Sequence, residues 1–176
     1  MIAEVEPLDE QHDLSRFQSG SPDFDRWLID HGATARGQGV RTYVALDDEG
    51  DVIGYFAIAP HAVERSELPP RIARGAPSRI PAVLLAKLAR DVRFRGTGLG
   101  SALLVEALVV ILRAARQVGG RLVVVDAVDD AAVRFYEAHD FVSVSSVEQR
   151  LILKLSTAAK VLGDPRSACA AMPAAS

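Results

Sequence analysis

Apolar and polar residues follow two different periods along this chain, and these periods predict where helices and strands lie. Apolar residues recur at helical spacing from 99 to 118, which indicates a long amphipathic helix. A second helix is expected after Ser21-Pro22-Asp23, because serine caps helices, proline fits the first helical position and acids suit the first turn. A third is expected over 129–139, with Asp129 as its cap. Alternating or continuous apolar runs predict strands at residues 2–8, 42–46, 52–59, 83–92, 121–127, 141–144 and 151–155.

The predicted elements follow one another in the order β-α-β-β-β-α-β-α-β-β. The strands at 42–46 and 52–59 form a hairpin, because Asp47-Asp48-Glu49-Gly50 between them is a turn sequence. Residues 60–81 contain five prolines without periodicity and are expected to form a long loop, which is typically functional or mobile. We expect one domain over residues 1–156, followed by an Ala-rich tail at 157–176 that is helical or disordered.

Three glycines lie where the strand at 83–92 gives way to the helix at 99–118, in the segment Arg95-Gly96-Thr97-Gly98-Leu99-Gly100. A helix start presents unpaired N–H groups and the positive end of its dipole, and glycines let a ligand approach the backbone. This glycine loop, residues 95–101, therefore suits a phosphate or pyrophosphate. It is neither a Walker loop, which needs a lysine after the last glycine, nor a G-x-G-x-x-G dinucleotide fingerprint. A glycine-rich connection without a ligand is the alternative.

Charge is distributed unevenly along the chain. The formal net charge is −3, yet residues 1–64 carry −9 and residues 65–121 carry +8. The basic segment indicates either a solvated face or a surface for a polyanion, and its many arginines favour phosphate because arginine binds it bidentately. No interleaved aromatic residues suggest base stacking, so nucleic-acid contacts would be mainly to the backbone. The densest basic positions are Arg65, Arg71, Arg74, Arg79, Lys87, Arg90, Arg93 and Arg95.

Other kinds of chemistry have little support in the sequence. The four histidines lack metal-ligand spacing, so no metal site is expected, and there is no G-x-S-x-G nucleophile elbow. No apolar run reaches the roughly 18 residues of a membrane span, and the first residues show no signal-peptide pattern. The single cysteine, Cys169, cannot form an internal disulfide. These features favour a cytoplasmic protein without a membrane partner.

Residues 88–100, LARDVRFRGTGLG, resemble motif A of the GCN5-related N-acetyltransferases, the GNAT family. In that family a [Gln/Arg]-x-x-Gly-x-[Gly/Ala] loop holds the pyrophosphate of acetyl-CoA, and Arg95, Gly98 and Gly100 match its defined positions. The resemblance covers residues 1–156 and implies an α/β (α+β) fold in which helices flank a mixed central sheet of six to seven strands. It implies acetyl-CoA as co-substrate. The acetyl-CoA-binding residues that it implies are Leu88, Ala89, Arg90, Val92, Arg95, Gly96, Gly98, Gly100 and Ser101.

A second motif of the same family is F-Y-x-x-x-G-F, which residues 135–141, FYEAHDF, resemble. Its tyrosine commonly serves as the general acid toward the departing thiolate, so the resemblance implies that Tyr136 is catalytic. The alternative is a packing role, with the hydroxyl at the surface. Asp140 stands where the family has glycine; glycine adopts a positive φ freely, and aspartate tolerates it better than most residues.

Residues 17–28, FQSGSPDFDRWL, resemble the F-x-S-G-x-x-x-L-D-x-W-L opening of the acetyltransferase toxins of type II toxin–antitoxin modules, with Phe24 in place of leucine. The resemblance implies acetylation of the α-amine of aminoacyl-tRNA, which blocks translation. It implies a ribbon-helix-helix antitoxin and a homodimer as partners. Two alternatives share the fold: an N-acetyltransferase for a small-molecule amine or a protein, and a non-catalytic binding module that would not need Tyr136. The basic segment supplies the expected tRNA contacts, Arg71, Arg74, Arg79 and Arg93.

Overall fold

The computed structural model describes residues 1–144 and 148–163, and in this part of the chain strands and helices occur in the order βαββαβαβαββα. The strands are β1 (Glu4–Pro7), β2 (Arg41–Leu46), β3 (Val52–Glu64), β4 (Arg79–Arg90), β5 (Leu122–Asp126), β6 (Val142–Ser143) and β7 (Arg150–Lys154). The helices are α1 (Pro22–His31), α2 (Pro70–Ala73), α3 (Leu99–Val118), α4 (Asp130–Glu137) and α5 (Leu155–Val161). None of the helices in these ranges combines the length and apolar character needed to cross a membrane.

The strands form one seven-stranded sheet in the order β1-β2-β3-β4-β5-β7-β6. β1 pairs with β2, β2 with β3, β5 with β7 and β6 with β7, each in antiparallel orientation. The predicted hairpin is confirmed, and so is the expectation of six to seven strands flanked by helices. The chain divides into two compact units, residues 1–60 with 84–108 and residues 61–83 with 109–176.

In the first unit, Tyr55 on β3 organises the contact between sheet and α1. The residue is fully buried, its ring stacks on Trp27 at 6.1 Å, and it meets the edge of Phe17 at 5.7 Å. Its hydroxyl donates to the carbonyl of Phe24 at 3.0 Å. Burial, with a contribution from the charge of Asp25, raises the pKa of Tyr55 above its usual range. The apolar residues of α1, Phe24, Trp27 and Leu28, therefore hold this helix against the sheet.

In the second unit, β5 is a buried strand whose first four residues are apolar and inaccessible. Its neighbour β7 is also mostly buried, with Val123 opposite Leu153 in register. The chain turns directly from β7 into α5, where the N–H of Leu155 donates to the carbonyl of Arg121 at 3.0 Å. Ala158 and Ala159 on α5 are buried, so this short helix packs through a small apolar face.

The prediction of a loop over residues 60–81 is wrong. β3 continues to Glu64, a 3-10 turn and α2 follow, and β4 begins at Arg79. The five prolines favoured a loop in the prediction, because a proline has no N–H to donate a hydrogen bond within a sheet. β2 begins at Arg41, opposite Ile58, so Pro60 lies beyond the end of that neighbour and its missing N–H breaks no bond to it. The connection between β3 and β4 is therefore shorter than predicted and comprises residues 65–78.

The structure adds detail at the ends of two helices. Ser21 occupies the N-cap position of α1, with Pro22 following it, but its side chain makes no capping hydrogen bond. Ser19 instead donates its N–H to the carboxylate of Asp25 at 2.8 Å. At the other end of the chain, α5 crosses the expected domain limit at residue 156. Residues 164–176 of the expected tail, including Cys169, lie outside the described residues.

Candidate functional site

The glycine loop leaves β4 through a single 3-10 turn, Val92–Phe94, and enters α3 at Leu99. Gly96 and Gly98 have φ values of +76° and +86°, which L-residues with side chains rarely adopt. A Cβ atom placed on either glycine would meet nothing within 4 Å. The backbone of the loop is therefore open on the side where these Cβ atoms would be, and a ligand can reach it there.

The start of α3 supplies hydrogen-bond donors to this open backbone. The N–H of Ala102 makes the first helical bond, to the carbonyl of Gly98 at 3.1 Å, so the N–H groups of Leu99 and Gly100 precede it. α3 is 20 residues long, and its buried Leu103 and Leu104 fix its first turns in the core. The predicted bounds of α3 are confirmed. The anion cradle stays a prediction, and the helix dipole and the N–H groups at the start of α3 suit it.

A buried carboxylate fixes the entrance to the glycine loop. Asp91 is 1% exposed and accepts four hydrogen bonds: from the backbone of Gln18 (3.2 Å), from the backbone of Arg93 (2.8 Å), and from Nε and Nη2 of Arg93 (3.0 and 3.1 Å). Burial alone would raise the pKa of Asp91. The hydrogen bonds from Arg93 and Gln18 outweigh burial and hold that pKa below its usual range. Asp91 therefore stays ionised and binds two segments of chain together.

The segment that Asp91 binds is the F-x-S-G part of the toxin-like opening. The N–H of Val92 donates to the carbonyl of Gln18 at 2.8 Å, which closes a reciprocal pair with the Gln18–Asp91 bond. Gly20 has φ of +87°, and a Cβ there would lie 2.9 Å from Cγ1 of Val92 and 3.6 Å from Nη2 of Arg95. In the sequence, this opening and the glycine loop are two separate motifs. The signal that could have joined them is Asp91, a carboxylate at the end of an apolar strand.

The expected acetyl-CoA contacts on β4 are the last three residues of this strand. Leu88, Ala89 and Arg90 end β4 and are half-buried, whereas Arg95 after the 3-10 turn is exposed. Lys87, which precedes them, places Nζ 4.7 Å from the ring centre of Phe24 and 5.7 Å from that of Trp27. This ammonium–aromatic contact stabilises the packing of α1 against β4.

Tyr136 is held by the way α4 ends. The N–H of Phe141 donates to the carbonyl of Tyr136 at 3.1 Å, and that of Asp140 donates to the carbonyl of Glu137 at 3.2 Å. Asp140 between them has φ of +67°. These are the features of a Schellman motif, which normally has glycine at the left-handed position. The expectation that aspartate tolerates this conformation is confirmed, and the family turn is present without its glycine.

Packing around Tyr136 fits the same motif. Its ring meets Phe141 at 5.2 Å and Phe135 at 5.2 Å, both edge-on, and the residue is 9% exposed. The contact with Phe141 is the apolar contact that accompanies a Schellman motif. Burial raises the pKa of Tyr136 above its usual range, so the phenol carries its proton at neutral pH. A protonated phenol is able to act as an acid.

The four arginines expected to contact tRNA are not equivalent. Arg71, Arg74 and Arg79 are exposed in the second unit, and the described residues give none of them an ion pair. Arg93 belongs to the first unit and forms a bidentate pair with Asp91. Its guanidinium helps to hold Asp91, although 41% of the Arg93 side chain stays exposed.

No group of three or more histidine, cysteine or acidic residues in ranges 1–144 and 148–163 is arranged to hold a metal ion. Asp126 instead accepts two hydrogen bonds from Arg150, at 2.7 and 2.9 Å, in a bidentate ion pair. It lowers the pKa of Asp126. Next to this pair, burial and the charge of Arg150 lower the pKa of His61.

Comparison with known proteins agrees with this geometry. A family model described as an acetyltransferase (GNAT) domain matches residues 37–143. A tRNA-acetylating toxin of Mycobacterium tuberculosis (strain ATCC 25618 / H37Rv) is 34% identical over 158 residues, which are 89% of this chain and 95% of that protein.

Two solved structures extend the likeness to three dimensions. AtaT complexed with acetyl-methionyl-tRNAfMet is 27% identical, with a TM-score of 0.82 over 91% of this chain and 98% of AtaT. A mutant AtaT toxin bound to the C-terminus of the antitoxin AtaR and to acetyl-CoA is 26% identical, with a TM-score of 0.76 over 92% of this chain and 98% of the other. The chain therefore belongs to the GNAT acetyltransferase family.

Proposed function

We propose that this acetyltransferase moves the acetyl group of acetyl-CoA to the α-amine of an aminoacyl-tRNA and thereby inhibits translation in the cytoplasm. The observation that carries the proposal is the glycine loop, whose open backbone at Gly96 and Gly98 faces free N–H groups at the start of α3. The choice of acceptor is supported by the M. tuberculosis relative, which is named for tRNA acetylation, and by the likeness to AtaT in its complex with acetylated tRNA.

The residues present fit acetyl-CoA. Its pyrophosphate needs backbone donors and a nearby positive charge, and the loop offers both, with Arg95 exposed beside it. Acetyl-CoA, when bound, supplies an activated thioester. We assign pyrophosphate binding to Arg95, Gly96, Gly98, Gly100 and Ser101. The end of β4 and the residue that opens the 3-10 turn would hold the rest of the molecule, at Leu88, Ala89, Arg90 and Val92.

Tyr136 is the proposed general acid. When the neutral amine attacks the thioester carbonyl, a C–N bond forms, the C–S bond breaks, and a proton must reach the sulfur. The phenol of Tyr136 can give that proton because burial keeps it protonated. The amine loses a proton in the same reaction, which restores the phenol. The Schellman motif at Asp140 fixes the helix end that carries Tyr136.

The acceptor RNA is proposed to lie against the basic residues of the second unit. Arg71, Arg74 and Arg79 are exposed and suit phosphate contacts. Arg93 was also expected among them; it pairs with Asp91 but keeps 41% of its side chain exposed, so its contact with tRNA stays a prediction. As partners we propose an antitoxin of the ribbon-helix-helix class and a second copy of the chain; antitoxin binding is supported by the complex of AtaT with AtaR.

The test is acetyl transfer from labelled acetyl-CoA to a bulk pool of charged tRNA, followed by sequencing of the labelled tRNAs. We expect label on charged tRNA and none on tRNA that has been deacylated. Tyr136→Phe should lower kcat by about 10²–10⁴-fold and leave acetyl-CoA and tRNA affinity unchanged, since only a transition-state interaction is lost. Tyr43→Phe, which removes a hydroxyl from β2, is the matched control and should be fully active.

Two results would contradict the proposal. Label on free amino acids, polyamines or proteins, with none on charged tRNA, would show one of the alternative acceptors. A fully active Tyr136→Phe enzyme would show that another group or water protonates the thiolate.

A further inference from the structure

A small cavity in the second unit is lined by three cations from three separate segments of the chain. Its volume is about 110 Å³, and its polar lining comes from Arg74, Arg121, Lys154 and Ser156. We call this site the cationic pocket. Its apolar floor includes Ile80 and Leu122, which are buried. Within the described part of the chain, no acidic residue lines it.

Sheet register and two hydrogen bonds bring the cations together. Leu122 lies opposite Lys154 in the β5–β7 pair, which places Arg121 beside the end of β7. Nη1 of Arg121 donates to the carbonyl of Gly75 at 3.3 Å, and Nζ of Lys154 donates to the carbonyl of Arg71 at 3.3 Å. These bonds hold the connection between α2 and β4 over the strand ends, so the cavity is formed before any ligand arrives.

The charge of the pocket is not balanced from within. Arg74, Arg121 and Lys154 form no ion pair with the described residues, and Arg71 and Arg79 nearby in sequence form none either. Among the described residues, Arg121 and Lys154 each donate one hydrogen bond, to a neutral carbonyl, which leaves most donors of a guanidinium and an ammonium available. Three like charges around one cavity repel one another unless an anion lies between them.

Size and chemistry favour a phosphate group. A cavity of this volume is larger than a single water molecule requires and has room for one tetrahedral anion. Guanidinium groups bind phosphate bidentately, and the Ser156 hydroxyl adds a donor. Among the described residues no aromatic side chain lines the pocket, so the structure offers no platform for a base.

We infer that the cationic pocket binds one backbone phosphate of the tRNA that accepts the acetyl group. This inference rests on the proposed function for the identity of the RNA. Arg74 supports it further, because the same side chain also lines a broader open groove of about 680 Å³ together with Arg65, Ser66 and Ser78. A nucleic-acid strand in that groove would place its backbone at the pocket. Arg121, Lys154 and Ser156 were not among the expected tRNA contacts.

The test compares Arg121→Gln and Lys154→Gln with two controls that remove an exposed charge of the same kind from the same unit, Arg113→Gln and Lys160→Gln. Glutamine keeps a donor for the carbonyl that Arg121 or Lys154 contacts. Initial rates on charged tRNA are measured from 50 to 300 mM KCl. We expect each pocket variant to raise KM for tRNA by about tenfold and to reduce the slope of log affinity against log salt, by at most the roughly 0.7–0.9 that one phosphate contact contributes. Neither kcat nor the KM for acetyl-CoA should change.

A second measurement separates this inference from the proposed function. Binding of uncharged tRNA is followed by fluorescence anisotropy over the same salt series, and it needs no acetyl transfer. If the wild type acetylates no tRNA, the proposed function fails; a reduced slope for the pocket variants would still support RNA phosphate binding. If the pocket variants match their controls in slope, the inference is overturned. The inference is also overturned if the pocket variants weaken only the binding of acetyl-CoA, or only the binding of an antitoxin peptide.

Discussion

Asp91→Asn is the substitution that most directly tests how the entrance to the glycine loop is held. Both oxygens of the carboxylate accept hydrogen bonds. Oδ1 accepts from the backbone N–H and from Nε of Arg93, and Oδ2 accepts from the backbone N–H of Gln18 and from Nη2 of Arg93. An amide keeps one of these acceptors and turns the other into a donor. The variant therefore leaves either the N–H of Gln18 or that of Arg93 facing another donor.

The expected cost follows from these contacts. One lost hydrogen bond to a charged acceptor is worth about 1.5–3 kcal/mol. The ion pair adds less, about 1 kcal/mol, because the Arg93 side chain is 41% exposed and water replaces part of the interaction. The free energy of unfolding should thus fall by about 2–4 kcal/mol, which for a chain of this length lowers Tm by roughly 4–16 °C. Acetyl-CoA affinity should fall about tenfold, because Gln18 and Val92 are no longer fixed.

Thermal unfolding followed by circular dichroism, and calorimetric titration with acetyl-CoA, measure the two effects. Asp48→Asn in the exposed β2–β3 turn is the control for loss of one negative charge and should change neither. A Tm within 2 °C of the wild type and an unchanged affinity would show that Asp91 does not hold the loop.

Acid dependence gives an independent readout of the same residue. The folded pKa of Asp91 lies below the value of 3.8 usual for an aspartate, so its contribution is fully present above about pH 4. That contribution is lost as pH falls through the folded pKa. The stability gap between wild type and Asp91→Asn should therefore be constant from pH 7 to 5 and narrow below about pH 4. A gap that widens on acidification would contradict the assignment.

Two further substitutions test backbone conformation. Gly98→Val places a β-branched side chain at φ of +86° on the open side of the loop. The affinity for acetyl-CoA, measured by calorimetry, should therefore fall at least about 10-fold. Gly50→Val is the control: Gly50 has φ of +83° and also faces open space, so this variant should be strained similarly but bind acetyl-CoA normally. Asp140→Val should lower Tm by about 2–8 °C, whereas Asp140→Gly should keep or raise it. Equal Tm values for the two Asp140 variants would mean that α4 does not end in the left-handed turn.

Local patterns predicted those parts of the fold that local chemistry decides. The bounds of α3 followed from apolar spacing, and Asp129 caps α4 as expected, accepting from the N–H of Ala132 at 2.7 Å. The extension of β3 past Pro60 was missed, because it depends on where β2 ends, which no local window contains. The cationic pocket could not be predicted for the same reason, because Arg121 and Lys154 are brought close together only by the pairing register of β5 and β7.

The site itself was predicted as two motifs, and the third component was missed. Gly96, Gly98 and Tyr136 could be assigned because each motif is contiguous. Asp91 was passed over because its partner, Gln18, is distant in sequence and contributes only backbone atoms. A backbone contact leaves no residue-type signal in a single sequence.

The bond between Asp91 and Gln18 has a consequence for how this protein can be divided and recombined. Residues 17–20 and 91–95 share the carboxylate of Asp91, one backbone hydrogen bond from Val92 to Gln18, and the close approach of Gly20 to Val92. Neither segment retains its shape when its counterpart is exchanged for one of different geometry. In chimaeras between related acetyltransferases, residues 17–20 and 91–95 should therefore be exchanged together. They form one unit although they are far apart in the sequence.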